Sequence, residues 1–168
     1  YLVTNHYTKQ KEVILQDVKN NVYLISSDFE ALWSVDAGSQ VTSDFFQIDY
    51  YRNGKLQYAF STAESIHVID RTGEYLPGFP AKFGEDIKIA TFNIVDYDNS
   101  RNYRYAISDA KGNLYLTNED GKILEGWGPL PLESPITSPL RHIRVSGRDF
   151  MVALQQNGSI TFKTRRAE

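Results

Sequence analysis

Cysteine is absent from the 168 residues, which excludes disulfides, thiol nucleophiles and thiolate metal sites. The absence fits an oxidising compartment without fixing one. No apolar run is long enough to cross a bilayer as a helix, so no membrane-spanning segment is expected. An excess of positive charge is also lacking. The 18 basic residues face 21 acidic ones, giving a formal net charge of -3, and composition offers no claim for nucleic acid as a partner. Methionine occurs only at Met151, and the chain begins with Tyr1. The sequence therefore reads as a processed chain or as part of something longer, and a missing leader decides nothing about targeting. Aromatic residues are plentiful, with 11 Tyr, 9 Phe and 2 Trp, and these favour strands. With 41% hydrophobic residues, a chain of this length can bury a core without metal or disulfide staples.

Four short apolar segments recur along the chain: 21–25, 65–69, 113–117 and 159–163. With Val22, Ile66, Leu114 and Ile160 as equivalents, the steps are 44, 48 and 46 residues. A polar turn precedes each segment, at Lys19-Asn20, Ala63-Glu64, Lys111-Gly112 and Asn157-Gly158. Another strand precedes each turn, so one β-hairpin is written four times. Ahead of three of the hairpins lie apolar pairs seven residues apart, Val41 and Ile48, Ile87 and Ile94, and Ile136 and Ile143. They predict a further strand per repeat. A short fourth strand is expected near 31–35, 74–76 and 122–124, after turns such as Thr72-Gly73 and Asp120-Gly121.

No window carries a steady apolar stripe at helical spacing. A four-strand repeat of this length is the blade period of a β-propeller. The prediction is an all-β chain of about fifteen strands forming a β-propeller or propeller segment. Its antiparallel four-stranded blades of about 46 residues would lie approximately at 1–37, 38–84, 85–132 and 133–168, the last incomplete. A β-sandwich is the alternative, but it needs no fixed internal period. Strand parity puts Val22, Leu24, Ile66, Val68, Leu114, Leu116, Ile160 and Phe162 in equivalent blade cores.

The stretch from Leu24 to Gly38 has an apolar strand, Asp28, a turn, then Leu32 and Trp33. It resembles the pyrroloquinoline-quinone-type propeller repeat, with Glu30 where a turn glycine is expected. Ile69 to Pro80 follows the same plan with Phe79 near the Trp place, and Asn118 to Trp127 does so again. The endings Pro77-Gly78-Phe79-Pro80 and Glu125-Gly126-Trp127 are similar to those of integrin-like and bacterial surface propeller repeats. The resemblance implies an architecture and no cofactor. A quinoprotein would need a complete ring, an axial calcium and aromatics stacked over the quinone. Trp33, Phe79 and Trp127 are read as rings filling the space between blades.

Integrin-like repeats can hold calcium in a loop of several close oxygen ligands. The nearest match is Asp96-Tyr97-Asp98, making Asp96 and Asp98 the candidate metal residues. The equivalent stretches of the first two repeats lack the ligand set, so the expectation is no metal and a solvated hairpin. His6, His67 and His142 fall in different parts of the repeat, without zinc spacing. Ser61 and Ser65 flank Glu64, with no histidine relay assignable, so no catalytic residue is named. His67 is expected to pack between blades. Arg141, Arg144, Arg148, Lys163, Arg165 and Arg166 gather late, beside Asp149 and Glu168, and read as a solvated or salt-bridged rim.

The expected function is a non-enzymatic scaffold whose loops bind a protein or glycan partner. The alternative is a purely structural module of a larger envelope or surface protein, and a quinoprotein-like enzyme fragment ranks third. An extracytoplasmic or cell-surface location is the accompanying expectation. The uncompleted last blade is expected to be matched by further blades from absent sequence or by self-association.

Overall fold

A computed structural model describes residues 1–168. The chain has no helix and fifteen strands. They fall in two compact units, Tyr1–Phe83 and Gly84–Glu168. In the first unit, β1 (Leu2–Thr4), β2 (Lys11–Gln16), β3 (Asn21–Ile25) and β4 (Ala31–Asp36) form one sheet in sequence order. A second sheet holds β5 (Phe46–Ile48), β6 (Gln57–Ser61), β7 (Ser65–Ile69) and β8 (Ala81–Lys82). The second unit repeats the plan. Its first sheet is β9 (Ile89–Val95), β10 (Arg104–Asp109), β11 (Asn113–Thr117) and β12 (Leu130–Pro131). Its other sheet is β13 (Arg141–Val145), β14 (Arg148–Leu154) and β15 (Ile160–Thr164). All neighbouring strands are antiparallel, as short turns require.

Side-chain caps write the hairpins. Asp17 accepts the N–H groups of Lys19 and Asn21, the Asn21 amide and the Tyr23 hydroxyl. Asp109 does the same for Lys111, Asn113 and Tyr115. An aspartate that takes over backbone donors in this way fixes a turn through local bonds alone. The following turn is equally regular. Ser26, Asp70, Asn118 and Thr164 donate their N–H to the carbonyl four residues on, at 2.8 to 2.9 Å. The fourth residue of each turn is left-handed: Phe29, Gly73, Gly121 and Ala167, with φ of 65, 90, 81 and 66°. The position that favours glycine is therefore Phe29 in the first repeat, not Glu30. At Gly73 glycine is needed twice over, because a Cβ would sit 2.8 Å from the Trp33 ring.

The outer strands of the second and third sheets differ from the sequence expectation. Tyr75 and Ile123 make only single bridges, and the ladder resumes at β8 and β12. Between bridge and strand the chain makes a turn from Leu76 to Phe79, and from Leu124 to Trp127. Pro80 and Pro129 follow these turns and have no N–H to give a ladder.

Each unit's core lies between its two sheets. Val3, Ile14, Val22 and Leu24 meet Tyr58, Phe60 and Ile69 in the first. Val95, Ala106, Leu114, Leu116 and Trp127 meet Met151 and Ala153 in the second. Six of the eight predicted core positions, from Val22 to Leu116, are at most 1% exposed. Ile160 and Phe162 are not core, being 57% and 54% exposed. Their parity matches Val22 and Leu24, but no neighbouring sheet covers the face of the last sheet that they occupy.

Candidate functional site

One contact organises both units. The Trp33 indole donates from Nε1 to the Arg71 carbonyl at 3.1 Å, and Trp127 donates to the Arg165 carbonyl at 2.9 Å. In each unit the ring of the first sheet thus clips the outer turn of the second. The rings are packing residues, as the sequence suggested. The clip sets an arginine over the wedge between the sheets, Arg71 in one unit and Arg165 in the other.

In the second unit this arginine is fully neutralised. Arg165 donates to Asp98 from Nη2 at 2.8 Å and Nη1 at 3.2 Å, and from Nε to Asp149 at 2.7 Å. Its guanidinium carbon lies 4.4 Å from the Tyr97 ring centroid. His142 joins Asp149 at 2.7 Å, and Arg144 approaches both carboxylates. The hydrogen bond from Arg165 leads in holding the Asp98 carboxyl below its ordinary value. Burial works to raise Asp149, but bonds from His142 and Arg165 outweigh it and lower that carboxyl too.

This places the two candidate metal residues apart in role. Asp96 accepts the N–H groups of Ser100 and Arg101 and shapes the loop. Asp98 is spent on Arg165 and Arg144. Two guanidinium groups beside Asp98 oppose a cation, and no group of three or more His, Asp or Glu residues converges anywhere in a way that could hold a metal. Of the late basic residues, Arg144 and Arg165 form the salt-bridged rim.

The wedge of the first unit holds different groups at the same register. Val3 pairs with Glu12, and Val95 with Arg104, so three residues past each valine His6 stands where Asp98 does. Ile48 pairs with Gln57, and Ile143 with Phe150, so Leu56 stands where Asp149 does. His6 accepts the Leu56 N–H at Nδ1, 3.1 Å away, which puts the proton of the neutral ring on Nε2. That Nε2 is buried and has no hydrogen-bond partner. Burial, then the charges of Arg71, Lys9 and Lys55, lower the His6 pKa. Arg71 bonds Glu12 at 2.6 Å through Nη2, while its Nη1, Glu12 Oε2 and the Tyr58 hydroxyl are buried without partners. A cavity of about 330 Å³ opens here, lined by His6, Tyr7, Tyr51, Lys55 and Arg71 among others. The sequence reading gave His6 no role and passed over Arg71 and Glu12. The signal that could have found them is the arginine at one place in the second and fourth repeats, Arg71 and Arg165.

A second cavity of about 410 Å³ touches Thr62, Glu64, Ser65, His67 and Tyr75. His67 meets Ser65 Oγ at 3.0 Å through Nε2 and the Tyr75 hydroxyl at 2.9 Å through Nδ1. It stacks on Phe60 of its own sheet at 4.7 Å, and the cavity it touches is also lined by Asp36, Ala37, Gly38 and Ser39 at the end of the first sheet. A serine beside a histidine is the first half of a nucleophile–base pair. Here the third group is a phenol, and burial lowers the imidazole pKa to about 4, which makes it a weak base at neutral pH.

No family model and no curated protein sequence matches the chain. Solved structures do. BBS1N, solved in complex with ARL6DN, matches with a TM-score of 0.71 at 6% identity, over 100% of this chain and 50% of its own. The chain has the β-propeller fold. The Pan2 WD40 domain of Neurospora crassa matches at 0.60 and 9% identity, over 97% of this chain and 45% of that one. A quinohemoprotein alcohol dehydrogenase of Pseudomonas putida HK5 matches at 0.50 and 12% identity, over 93% and 32%. The propeller segment therefore spans half or less of these similar chains.

Proposed function

We propose that this propeller segment is a non-enzymatic scaffold that binds a protein partner at the cavity of the first unit. The observation that carries the reading is a pair of exposed tyrosines, Tyr7 at 64% and Tyr51 at 53%, lining the same cavity as Arg71. Tyrosine and arginine are the residues on which protein interfaces concentrate their energy. The similar BBS1N was solved with a protein bound, which supports the reading. The weak base at His67 supports a non-enzymatic role. The cysteine-free composition fits an extracytoplasmic or surface setting. Panning a displayed peptide library against the chain tests this. Selected peptides are expected to lose about tenfold or more in affinity on Tyr51→Ala, as a hot-spot truncation does, and to ignore Val18→Ala. Peptides indifferent to both Tyr7→Ala and Tyr51→Ala, or a response only on a glycan array, would sink the reading.

A second reading, a structural module that packs against further blades or a second copy, is favoured by two exposed apolar sheet faces. Leu2, Leu15 and Leu32 are 43–74% exposed on the first sheet of the first unit. Val145, Leu154, Ile160 and Phe162 are 44–57% exposed on the last sheet of the second. Open apolar faces of this kind are what stacked repeats cover. Light scattering over a concentration series is expected to show association on this reading, weakened by Ile160→Lys. A 19.2 kDa species at every concentration would count against it.

A further inference from the structure

Arg71 and Arg165 hold one place in two repeats, but Arg165 has two carboxylates against it and Arg71 has one, Glu12. At Arg71 the two positions that carry Asp98 and Asp149 are filled by His6 and Leu56, neither of which offers an acceptor. The His6 ring is tied to the Leu56 N–H, and its free atom is a buried N–H donor on a residue only 9% exposed. Glu12 supplies the single carboxylate at Arg71, through one oxygen that it also shares with the Asn5 amide. Asp70, at the cavity rim, spends its carboxylate on the Thr72 and Glu74 turn. Lys9 and Lys55 add positive charge close enough to act on His6. The cavity thus gathers cations and unpaired donors beside one arginine-bound carboxylate, Glu12, and the turn-bound Asp70, where the equivalent wedge sets two carboxylates directly against its arginine.

We propose that the cavity beside Arg71 receives a carboxylate, the side chain of an aspartate or glutamate of the bound protein, in the role that Asp98 and Asp149 play toward Arg165. The proposal rests on the protein-binding reading and names what that site selects. Arg71 Nη1 and His6 Nε2 are the donors, a guanidinium being suited to carboxylate geometry, and Lys55 supplies charge at the entrance. A ligand without an acid group would leave both donors buried and unpaired, which is how a polar site rejects the wrong partner.

The test uses the full chain and a short blocked alanine peptide with a single central glutamate, with its glutamine counterpart and inorganic phosphate in parallel. The readouts are the nuclear magnetic resonance signals of the Leu56 amide and the Arg71 guanidinium. The glutamate peptide is expected to shift both saturably, and the glutamine peptide neither. His6→Asp, which installs the internal carboxylate of the other unit, is expected to weaken the response by about tenfold or more, the worth of a charge-assisted hydrogen bond. The double change Arg71→Gln with Glu12→Gln keeps the wedge neutral, should fold, and should abolish the response. Equal shifts from glutamine, a response to phosphate alone, or full binding by His6→Asp would each overturn the proposal. Selected library peptides that depend on Tyr51, with no shift from the glutamate peptide, would sink the carboxylate alone; glutamate shifts with no peptide selected would sink the partner reading alone, so the two failures are told apart.

Discussion

Trp127→Ala should cost the chain about 3–5 kcal/mol of stability, the range for removing a large buried ring. Trp127 is 1% exposed and sits in the core of the second unit among Leu114, Leu116 and Met151. The substitution also strips the Arg165 carbonyl of its N–H donor, and with it the clip that holds the Arg165 turn over the wedge. Trp127→Phe separates the two effects. It keeps most of the packing and should lose about 1 kcal/mol for the hydrogen bond. Trp33→Ala is expected to cost less than Trp127→Ala, because Trp33 is only partly buried. Denaturant unfolding followed by circular dichroism measures all three. A loss below about 1 kcal/mol for Trp127→Ala would mean that the ring is not part of the core.

Acidification should destabilise the fold through His67. Burial lowers this imidazole from 6.5 to about 4, with Glu64 acting the other way. Its hydrogen-bond partners, Ser65, Thr62 and Tyr75, are hydroxyls, and the same cavity contains Asp36, Glu64 and Lys82. A histidine with a depressed folded pKa is neutral in the native state while the unfolded chain takes up a proton. Stability from this group is therefore complete above pH 6.5, falls as the pH drops toward 4, and changes no further below that. The whole loss is about 3 kcal/mol. Carboxylates held low, such as Asp17 at about 2, act at more acidic pH, and in this window His67 is joined by His6, which burial also lowers. His67→Gln is expected to lower stability at neutral pH yet flatten the slope between pH 6.5 and 4. Parallel pH profiles for the two proteins would contradict the assignment.

The candidate site was less legible than the fold, and His6 shows why. In the sequence it is a lone histidine in a polar loop, 50 residues from Leu56 and further from Arg71. Nothing local marks it. Its meaning comes from strand register, which gives it the place that Asp98 has in the second unit, and from the Trp33 clip, which brings the Arg71 turn over it. Asp98 shows the reverse case. Spacing put it beside Asp96 as a metal candidate, but the loop spends Asp96 on backbone N–H groups and turns Asp98 toward two arginines. Sequence spacing reports which residues are near along the chain. The charge a carboxylate meets across 67 residues is set by how sheets stack.

The sequence by itself determined the repeat, the all-β class, the hairpins and six of the eight blade-core positions. It could do so because these depend on local rules: side-chain alternation along a strand, left-handed turn positions and a period that returns every 44 to 48 residues. Tertiary structure alone decided what lies against each face. Ile160 and Phe162 carry the alternation of Val22 and Leu24 but stay exposed, because burial is a property of the neighbouring sheet and not of the strand. It also decided that one arginine is saturated by two carboxylates while its twin keeps an unpaired donor over a cavity. Electrostatics acts through space, between residues that different repeats contribute, and no periodicity in a single repeat encodes it.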